Sequence, residues 1–589
     1  MELIYCLIKK YKSLKDCEIN FGGKYRFAYD EQNNILSGKI DPDYIQQLFP
    51  GNIINVSAII GKNGTGKSSV IEFLLENLPS GNANTNPDSI IVHYDVGFEQ
   101  YIIFRGPSYA DTTIEFDVQI NYEPVSALRN SHDYGTFVYY TNGMYDRIGD
   151  YNTGGLLNVS LKSLLFNQDS AQYFITDQNF KPEEIYTNFR LKEYWRILRI
   201  LQSGIKLDIG FRLPEFLVLY INRNKQNYLL QKYANTNTED KSISFYRQLF
   251  DIEKYYSQKN TNLNDHVATF LNNLEKNMVF DRIAHLQARS TFPALSDVLL
   301  SSPAPDTLLK YLFQNDELLS VNNFLDATRK LLTDYSTKQS DFLASISIDN
   351  INPEFFKDYI EKMKKLTLWD SDFVSIGFSF EPDRLQEISS GQMAFLTLFA
   401  RIYALSEGEQ RFGNLTVNGF ATVIVDEGEL YLHPEWQKKI VQLLTNCLPQ
   451  IFNRSVVQII LTSHSPFIVS DLPKSKLTFM IDYGERKNSN SDLLQHGQTF
   501  AANIHSLLAD SFFMQDGFMG EFAKAVIDKV ITDLSSTKEI SRQRRDDMKK
   551  IIVGIGEPII RRKLLELYTN KFNLGLEERV SIIEKKLGL

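Results

Sequence analysis

Gly61-Lys62-Asn63-Gly64-Thr65-Gly66-Lys67-Ser68 has the spacing of a phosphate-binding loop: a glycine, four residues, then Gly-Lys-Ser. Glycines let successive backbone N–H groups turn inward around phosphate oxygens, and the helix that follows adds the positive end of its dipole. In this pattern Lys67 reaches the β- and γ-phosphates and Ser68 coordinates magnesium. Ser69 continues the binding turn, so residues 61–69 are the candidate nucleotide contacts. The flanks agree with the loop. Ile53 to Ile60 is a continuous apolar run that predicts a buried strand, and Ser69 to Leu78 reads as a helix stopped by Pro79-Ser80-Gly81. A chance glycine turn would need neither flank. The expected ligands are ATP and Mg2+.

The rest of the chain sets the frame. At 589 residues it exceeds one ordinary core, so several domains are expected. A hydrophobic share of 43% allows large cores and argues against wholesale disorder. The net charge of −9 excludes a polycation that coats nucleic acid over its whole surface, but leaves room for a local basic groove. Cys6, Cys17 and Cys447 show no paired spacing and cannot build a disulfide framework. A reducing cytoplasm fits them. No apolar run approaches the roughly 18 residues of a membrane span, so no membrane partner is expected.

Strands are expected at Leu3 to Ile8, Lys24 to Tyr29, Ser89 to Tyr94, Tyr101 to Arg105, Thr113 to Tyr122 and Thr136 to Tyr140. From about 180 to 370 long amphipathic segments predominate, such as Arg190 to Gln202 and Asn264 to Leu286, with one short β element at Phe216 to Ile221. Strand character returns at Phe373 to Phe380. A helix follows at Gln392 to Leu405. Phe420 to Val425 and Val456 to Thr462 are continuous apolar runs of the kind buried in parallel sheets. Beyond about 500 the chain reads helical.

Three further motifs carry chemistry. The Phe420 strand ends in Asp426-Glu427, which puts two acids at the carboxyl edge of a sheet, where ligands of α/β folds sit. Alone that is a weak signal; beside a phosphate loop it assigns magnesium to Asp426 and the general base to Glu427. The Val456 strand ends in Thr462-Ser463-His464-Ser465-Pro466. His464 alone reads as an ordinary satisfied histidine. Its place one strand after the acids favours a group that senses the γ-phosphate and orients water. Ile388-Ser389-Ser390-Gly391-Gln392 opens a helix as an N-cap or as an anion site, and residue chemistry leaves both open.

The order of these motifs resembles the ABC-type ATPase head of the SMC, RecF and OLD families. Asp426 to Gln437, Thr462 to Phe467 and Gln498 to His505 are most similar to the ATPase subunit of Septu anti-phage systems, including those that accompany retrons. The resemblance implies an α/β fold: a P-loop NTPase head of mixed sheet with an antiparallel β subdomain, interrupted by a large helical insertion and followed by C-terminal helices. Head lobes are expected at 1–175 and 371–490, the insertion at 176–370 and a helical domain at 491–589. The resemblance also implies that Ser390 and Gly391 complete the site of a second protomer, giving a head-to-head dimer or higher oligomer, and that His464 is the switch histidine. Where these heads carry a Q-loop glutamine, Tyr139-Tyr140-Thr141-Asn142 offers Asn142. About 125 residues follow His464 and read mostly helical, with Asp546 and Asp547 in a basic, polar stretch. No Toprim nuclease is expected there.

Three functions compete. The first is an ATP-gated defence ATPase that controls a separately encoded HNH-type nuclease, with DNA or retron RNA/DNA as nucleic-acid partner. The second is a RecF- or SMC-like DNA-maintenance ATPase, for which the clusters Arg542 to Arg545 and Arg561 to Lys563 would supply basic surface; solvated helix faces explain them as well. The third is a nucleotide-locked scaffold with little turnover. Glu427 argues against the third, because binding alone requires no base.

Overall fold

Six parallel strands lie side by side in the computed structural model, in the order Leu156–Asn158, Thr136–Thr141, Gly419–Asp426, Ser455–Ser463, Ile53–Gly61 and Leu477–Met480. The structure describes residues 1–79, 87–128, 134–143, 155–165, 182–207, 211–222, 227, 231, 241–261, 265–287, 310–313, 315–366, 373–382, 388–407, 417, 419–480, 498–510 and 519–572. The three long central strands are mostly apolar and buried along nearly their whole length, as parallel strands covered on both faces are. The helix Lys67–Asn77 covers one face. Its Val70, Ile71, Leu74 and Leu75 share a core with Ile59, Ile424 and Ile460 of the sheet.

Register decides what this sheet can do. Asp426 lies opposite Thr141 on one side and Thr462 on the other, and Thr462 lies opposite Ile59. Four strands from separate parts of the chain therefore end level with one another at one carboxyl edge.

A second sheet runs Leu14–Asn20, Glu2–Tyr11, Ser89–Asp95, Gln100–Arg105 and Tyr122–Val125, antiparallel except for its last pair. A third joins Tyr25–Asp30, Ile35–Ile40 and Thr113–Phe116. Tyr5, Tyr25, Phe27, Tyr101 and Tyr109 share a buried cluster on which Phe116 packs. The run Thr113 to Tyr122, expected as one strand, is divided between these two sheets. Asp117 ends the first piece by accepting the Ile40 N–H on its carboxylate at 3.0 Å, so a side chain takes the ladder's place.

Between the motifs lie the helices Pro182–Gln202, Lys241–Thr261, His266–Gln287, Asn315–Tyr335 and Pro353–Leu366. The strand Phe216–Ile221 forms there too, and the segment is more than helical. Ser336–Gln339, Leu343–Ser347, Phe216–Ile221 and Val374–Ser379 make an antiparallel sheet in that order. The Ser336 hairpin escapes sequence reading because Ser336-Thr337-Lys338-Gln339 has no apolar residue and directly continues a helix. The boundaries expected at 175/176, 370/371 and 490/491 fall outside the described residues.

The chain divides into two compact units, Met1–Leu507 and Leu508–Leu589. In the second, Glu521–Ser535, Arg542–Gly554 and Pro558–Lys571 pack around Val530, Met548, Ile552, Leu564 and Tyr568. Several of its arginines have partners inside the unit. Arg544 pairs with Asp533, Arg545 donates to the Ile540 carbonyl, Arg561 donates to the Ile555 carbonyl and Arg562 pairs with Glu566. Asp546 is exposed, and Asp547 accepts from Gln543 one turn away. Among the described residues no three His, Cys, Asp or Glu side chains form a metal-holding group. Among them, too, no helix is long and apolar enough to cross a membrane.

One buried side chain ties the parallel sheet to its antiparallel neighbour. Gln458 accepts from the Leu3 N–H at 2.9 Å and donates to the Leu3 carbonyl at 2.8 Å. Gln458→Met would keep the volume and orphan both backbone groups. We expect a loss of about 2–4 kcal/mol, read as a lower urea midpoint in equilibrium unfolding followed by circular dichroism.

Candidate functional site

The loop 61–68 begins where the Ile53 strand ends. Gly66 caps the following helix at φ +99°, a left-handed conformation that glycine adopts without steric cost. A Cβ on Gly61 would lie 2.7 Å from Thr65 Oγ1 and 2.8 Å from the Met480 carbonyl, so the turn is closed by its own neighbours. Thr65 donates to the Lys62 carbonyl at 2.9 Å. Lys62, Asn63, Gly64 and Ser68 are exposed, while Thr65, Lys67 and Ser69 are buried.

Lys67 is folded back over the loop. Its Nζ donates to the Gly61 carbonyl at 3.1 Å and the Lys62 carbonyl at 3.2 Å, and lies 2.8 Å from His464 Nε2. None of these three partners is a carboxylate. Burial pulls the ammonium below its ordinary range, against the attraction of Glu427, Asp426 and Glu429. A buried cation over a glycine turn, with carboxylates near but not touching it, fits an incoming polyanion.

Asp426 and Glu427 differ in setting. Asp426 is buried at the strand end and takes hydrogen bonds on both oxygens, from Thr462 Oγ1 and from Tyr139 Oη at 3.2 Å. This fixed orientation at the sheet edge suits a divalent cation or a water bound to one. Glu427 turns out of the sheet at φ +50°. Its N–H donates to the carbonyl and the hydroxyl of Thr462, each at 3.1 Å. Its carboxylate lies half-buried, with Oε1 3.3 Å from His464 Nε2. The hydrogen bond with the His464 imidazole, helped by the electrostatic influence of His464 and Lys67, holds the Glu427 carboxyl below its ordinary range against partial burial. Glu427 is therefore ionised at neutral pH and able to accept a proton.

One imidazole nitrogen thus faces an ammonium at 2.8 Å and a carboxylate at 3.3 Å. It can serve one of them at a time. A charged Lys67 has only donors, so in the shorter contact Nε2 is the acceptor. With a proton on Nε2, the ring donates to Glu427 instead.

Ser389, Ser390 and Gly391 open the helix Ser390–Ser406. Ser389 is its N-cap: Oγ accepts the Gln392 N–H, and the Gln392 side chain accepts the Ser389 N–H at 2.8 Å. Ser390 is exposed and borders a cavity of about 590 Å³ with Asn142 and Arg401. A Cβ on Gly391 would meet Trp436 at 2.7 Å and the Tyr431 carbonyl at 3.1 Å, so this glycine admits close packing of the segment that follows the acidic pair. No hydrogen bond among the described residues joins Ser390 or Gly391 to the Lys67–Glu427–His464 cluster of the same chain. Asn142 follows the Thr136 strand, and its amide oxygen accepts from Arg401 at 3.4 Å. Arg401 in turn pairs with buried Glu193 at 2.9 Å.

The sequence reading missed Thr462, Tyr139 and Glu429. Glu429 could have been noticed two residues after Glu427. Nothing in the sequence marks Tyr139, because only the register of the Thr136 strand brings it to Asp426.

A parallel sheet with a glycine loop, an acidic pair and a histidine at one edge defines a P-loop ATPase. Residues 1–469 match the AAA ATPase domain family, and the chain belongs to that family. It is similar to the Retron Vc95 probable ATPase of Vibrio cholerae serotype O1 biovar El Tor, at 23% identity over 48% of this chain and 55% of the relative. It is also similar to the Septu protein PtuA of Bacillus mycoides strain KBAB4, at 28% identity over 24% of this chain and 18% of the relative. The Septu protein PtuA of Bacillus thuringiensis is 38% identical over 11% of this chain and 16% of its own length. The matched stretch thus spans about half of the retron ATPase and under a fifth of each Septu protein.

Thr462→Val removes the hydroxyl that orients Asp426 and the Glu427 N–H while keeping the side chain's shape. We expect the Mg2+ concentration for half-maximal turnover to rise about 10-fold, with an unchanged far-ultraviolet circular dichroism spectrum.

Proposed function

We propose that this chain hydrolyses ATP with magnesium at the carboxyl edge of its parallel sheet, and that it does so as the ATPase of an anti-phage defence complex. The observation that carries the first part is the convergence of Lys67, Glu427 and His464 from three separate strand ends. Bound Mg-ATP supplies the phosphoanhydride bond to be cleaved and the metal's neutralising charge. The loop N–H groups of 61–69 and the Lys67 ammonium bind and orient the phosphates. Ser68 and Asp426 hold the metal, and Tyr139 and Thr462 fix Asp426. Glu427 takes the proton of the hydrolytic water on its carboxylate. His464 Nε2 stands between Lys67 and Glu427, where it can align that water or relay its proton.

The second part rests on the relatives, whose names are those of retron and Septu proteins. In this reading the chain works in the cytoplasm and joins a second copy through ATP, with Ser390 and Gly391 completing the partner's site. Residues 1–175 and 371–490 form the head, 176–370 the insertion and 491–589 the helical domain. The assembly controls a separately encoded HNH-type nuclease and answers to DNA or to a retron RNA/DNA. The DNA-maintenance alternative draws no support from the C-terminal basic residues, several of which are engaged with partners inside the same helical unit.

Two variants test the hydrolytic assignment. Glu427→Gln should lower turnover by about 10²- to 10⁴-fold while retaining nucleotide and favouring the larger species in sedimentation. Lys67→Ala should weaken nucleotide binding by about 10- to 100-fold. Turnover by Glu427→Gln equal to that of the parent would remove Glu427 as the base.

A further inference from the structure

Glu429 has no part in the mechanism above, yet it is among the most enclosed carboxylates near the site. It is 7% exposed. One oxygen, Oε1, accepts from Ser463 Oγ and from the His464 N–H at 2.9 Å. The other, Oε2, is buried without a hydrogen-bond partner. Burial pushes this carboxyl above its ordinary range, and Glu427 two residues away adds to the effect. A surface turn that needed only a cap would leave such a group in solvent. Here the protein tolerates an orphaned buried oxygen two residues from the base.

What Oε1 holds is the turn that aims His464. Ser463 ends its strand, and its hydroxyl both donates to Glu429 and accepts the Ser465 N–H at 2.8 Å. The His464 N–H points at the same carboxylate oxygen. The imidazole then extends from this fixed backbone to Lys67 at 2.8 Å and Glu427 at 3.3 Å. On the acidic side, Glu427 is stitched to Thr462 by its N–H. Glu429 is a second stitch between the same two turns, placed where the histidine leaves the strand.

We propose that Glu429 is a positioning residue for His464. Its carboxylate, accepting from Ser463 Oγ and the His464 N–H, fixes the 463–464 turn so that Nε2 lies between Lys67 and Glu427. The inference rests on the hydrolytic role given to His464 above. It needs an acceptor at Oε1, and it does not need the charge. Glu429→Gln retains the acceptor; Glu429→Met keeps the length and removes it.

The experiment uses the full chain, with His464→Ala, Glu429→Gln, Glu429→Met and the Glu429→Met/His464→Ala double variant. Steady-state kcat and KM for ATP are measured beside the His464 ring resonance in histidine-labelled protein, assigned by its loss in His464→Ala. Glu429→Met should lower kcat about 10- to 100-fold with KM within about 2-fold, and should move or broaden the His464 resonance. Glu429→Gln should restore kcat to within about 3-fold of the parent, with the parent resonance. The double variant should be no slower than His464→Ala alone, because both changes disable one group. Unchanged kcat and resonance in Glu429→Met would overturn the proposal, as would a double variant slowed by the product of the single effects. If Glu429→Met does not fold, Glu429→Gln decides: parent-like kcat and resonance support the proposal, and a loss of either overturns it. A parent-like His464→Ala would instead overturn the role of the histidine itself.

Discussion

Everything at this site depends on the register of three parallel strands. Asp426 pairs across the sheet with Thr462, and Thr462 with Ile59, two residues before the glycine loop. A shift of one residue would turn every side chain of the strand to the opposite face. The acid, the hydroxyl that orients it and the start of the phosphate loop would then no longer share an edge. The apolar residues that hold this register, including Ile59, Ile424 and Ile460, lie in the same core as the helix that follows the loop. Stability and chemistry thus rest on the same strands.

Around that edge the protein uses side chains to fasten turns to one another. Thr462 serves Asp426 with its hydroxyl and Glu427 with its hydroxyl and carbonyl. Ser463 and the His464 N–H close on Glu429. Ser465 reaches Gln437 at 2.8 Å, and Trp436 beside it packs where Gly391 leaves room. A continuous set of contacts therefore runs from the histidine turn to the start of the Ser390 helix within one chain. The acidic pair, the histidine and the Ser390-Gly391 pair are parts of one packed body.

The sequence made much of this legible, for reasons that can be named. Phosphate loops are local: Gly61 to Ser68 needs only its own backbone, so spacing is enough to read it. Asp426, Glu427 and His464 stand at the ends of apolar runs, and two of those runs, Phe420 to Val425 and Val456 to Thr462, fall within the observed strands. What stayed hidden is what non-local geometry creates. Tyr139 reaches Asp426 only because the Thr136 strand pairs with the Gly419 strand. Glu429 resembles any polar turn residue until its partners are seen. The strand Ser336–Gln339 has no apolar pattern and is set only by its pairing with Leu343–Ser347. Asn142, weighed as a glutamine substitute, is turned toward Arg401, which no local pattern announces.

In the proposed function, the Lys67–His464 contact is the resting form of a phosphate site. Its most direct test is a high-resolution crystal structure of the full chain with magnesium and a non-hydrolysable ATP analogue. The terminal phosphate should lie at the carboxyl edge of the sheet, with Lys67 Nζ and His464 Nε2, now 2.8 Å apart, separated and both turned to it. A nucleotide bound elsewhere, or a phosphate that leaves the Lys67–His464 contact intact, would contradict it.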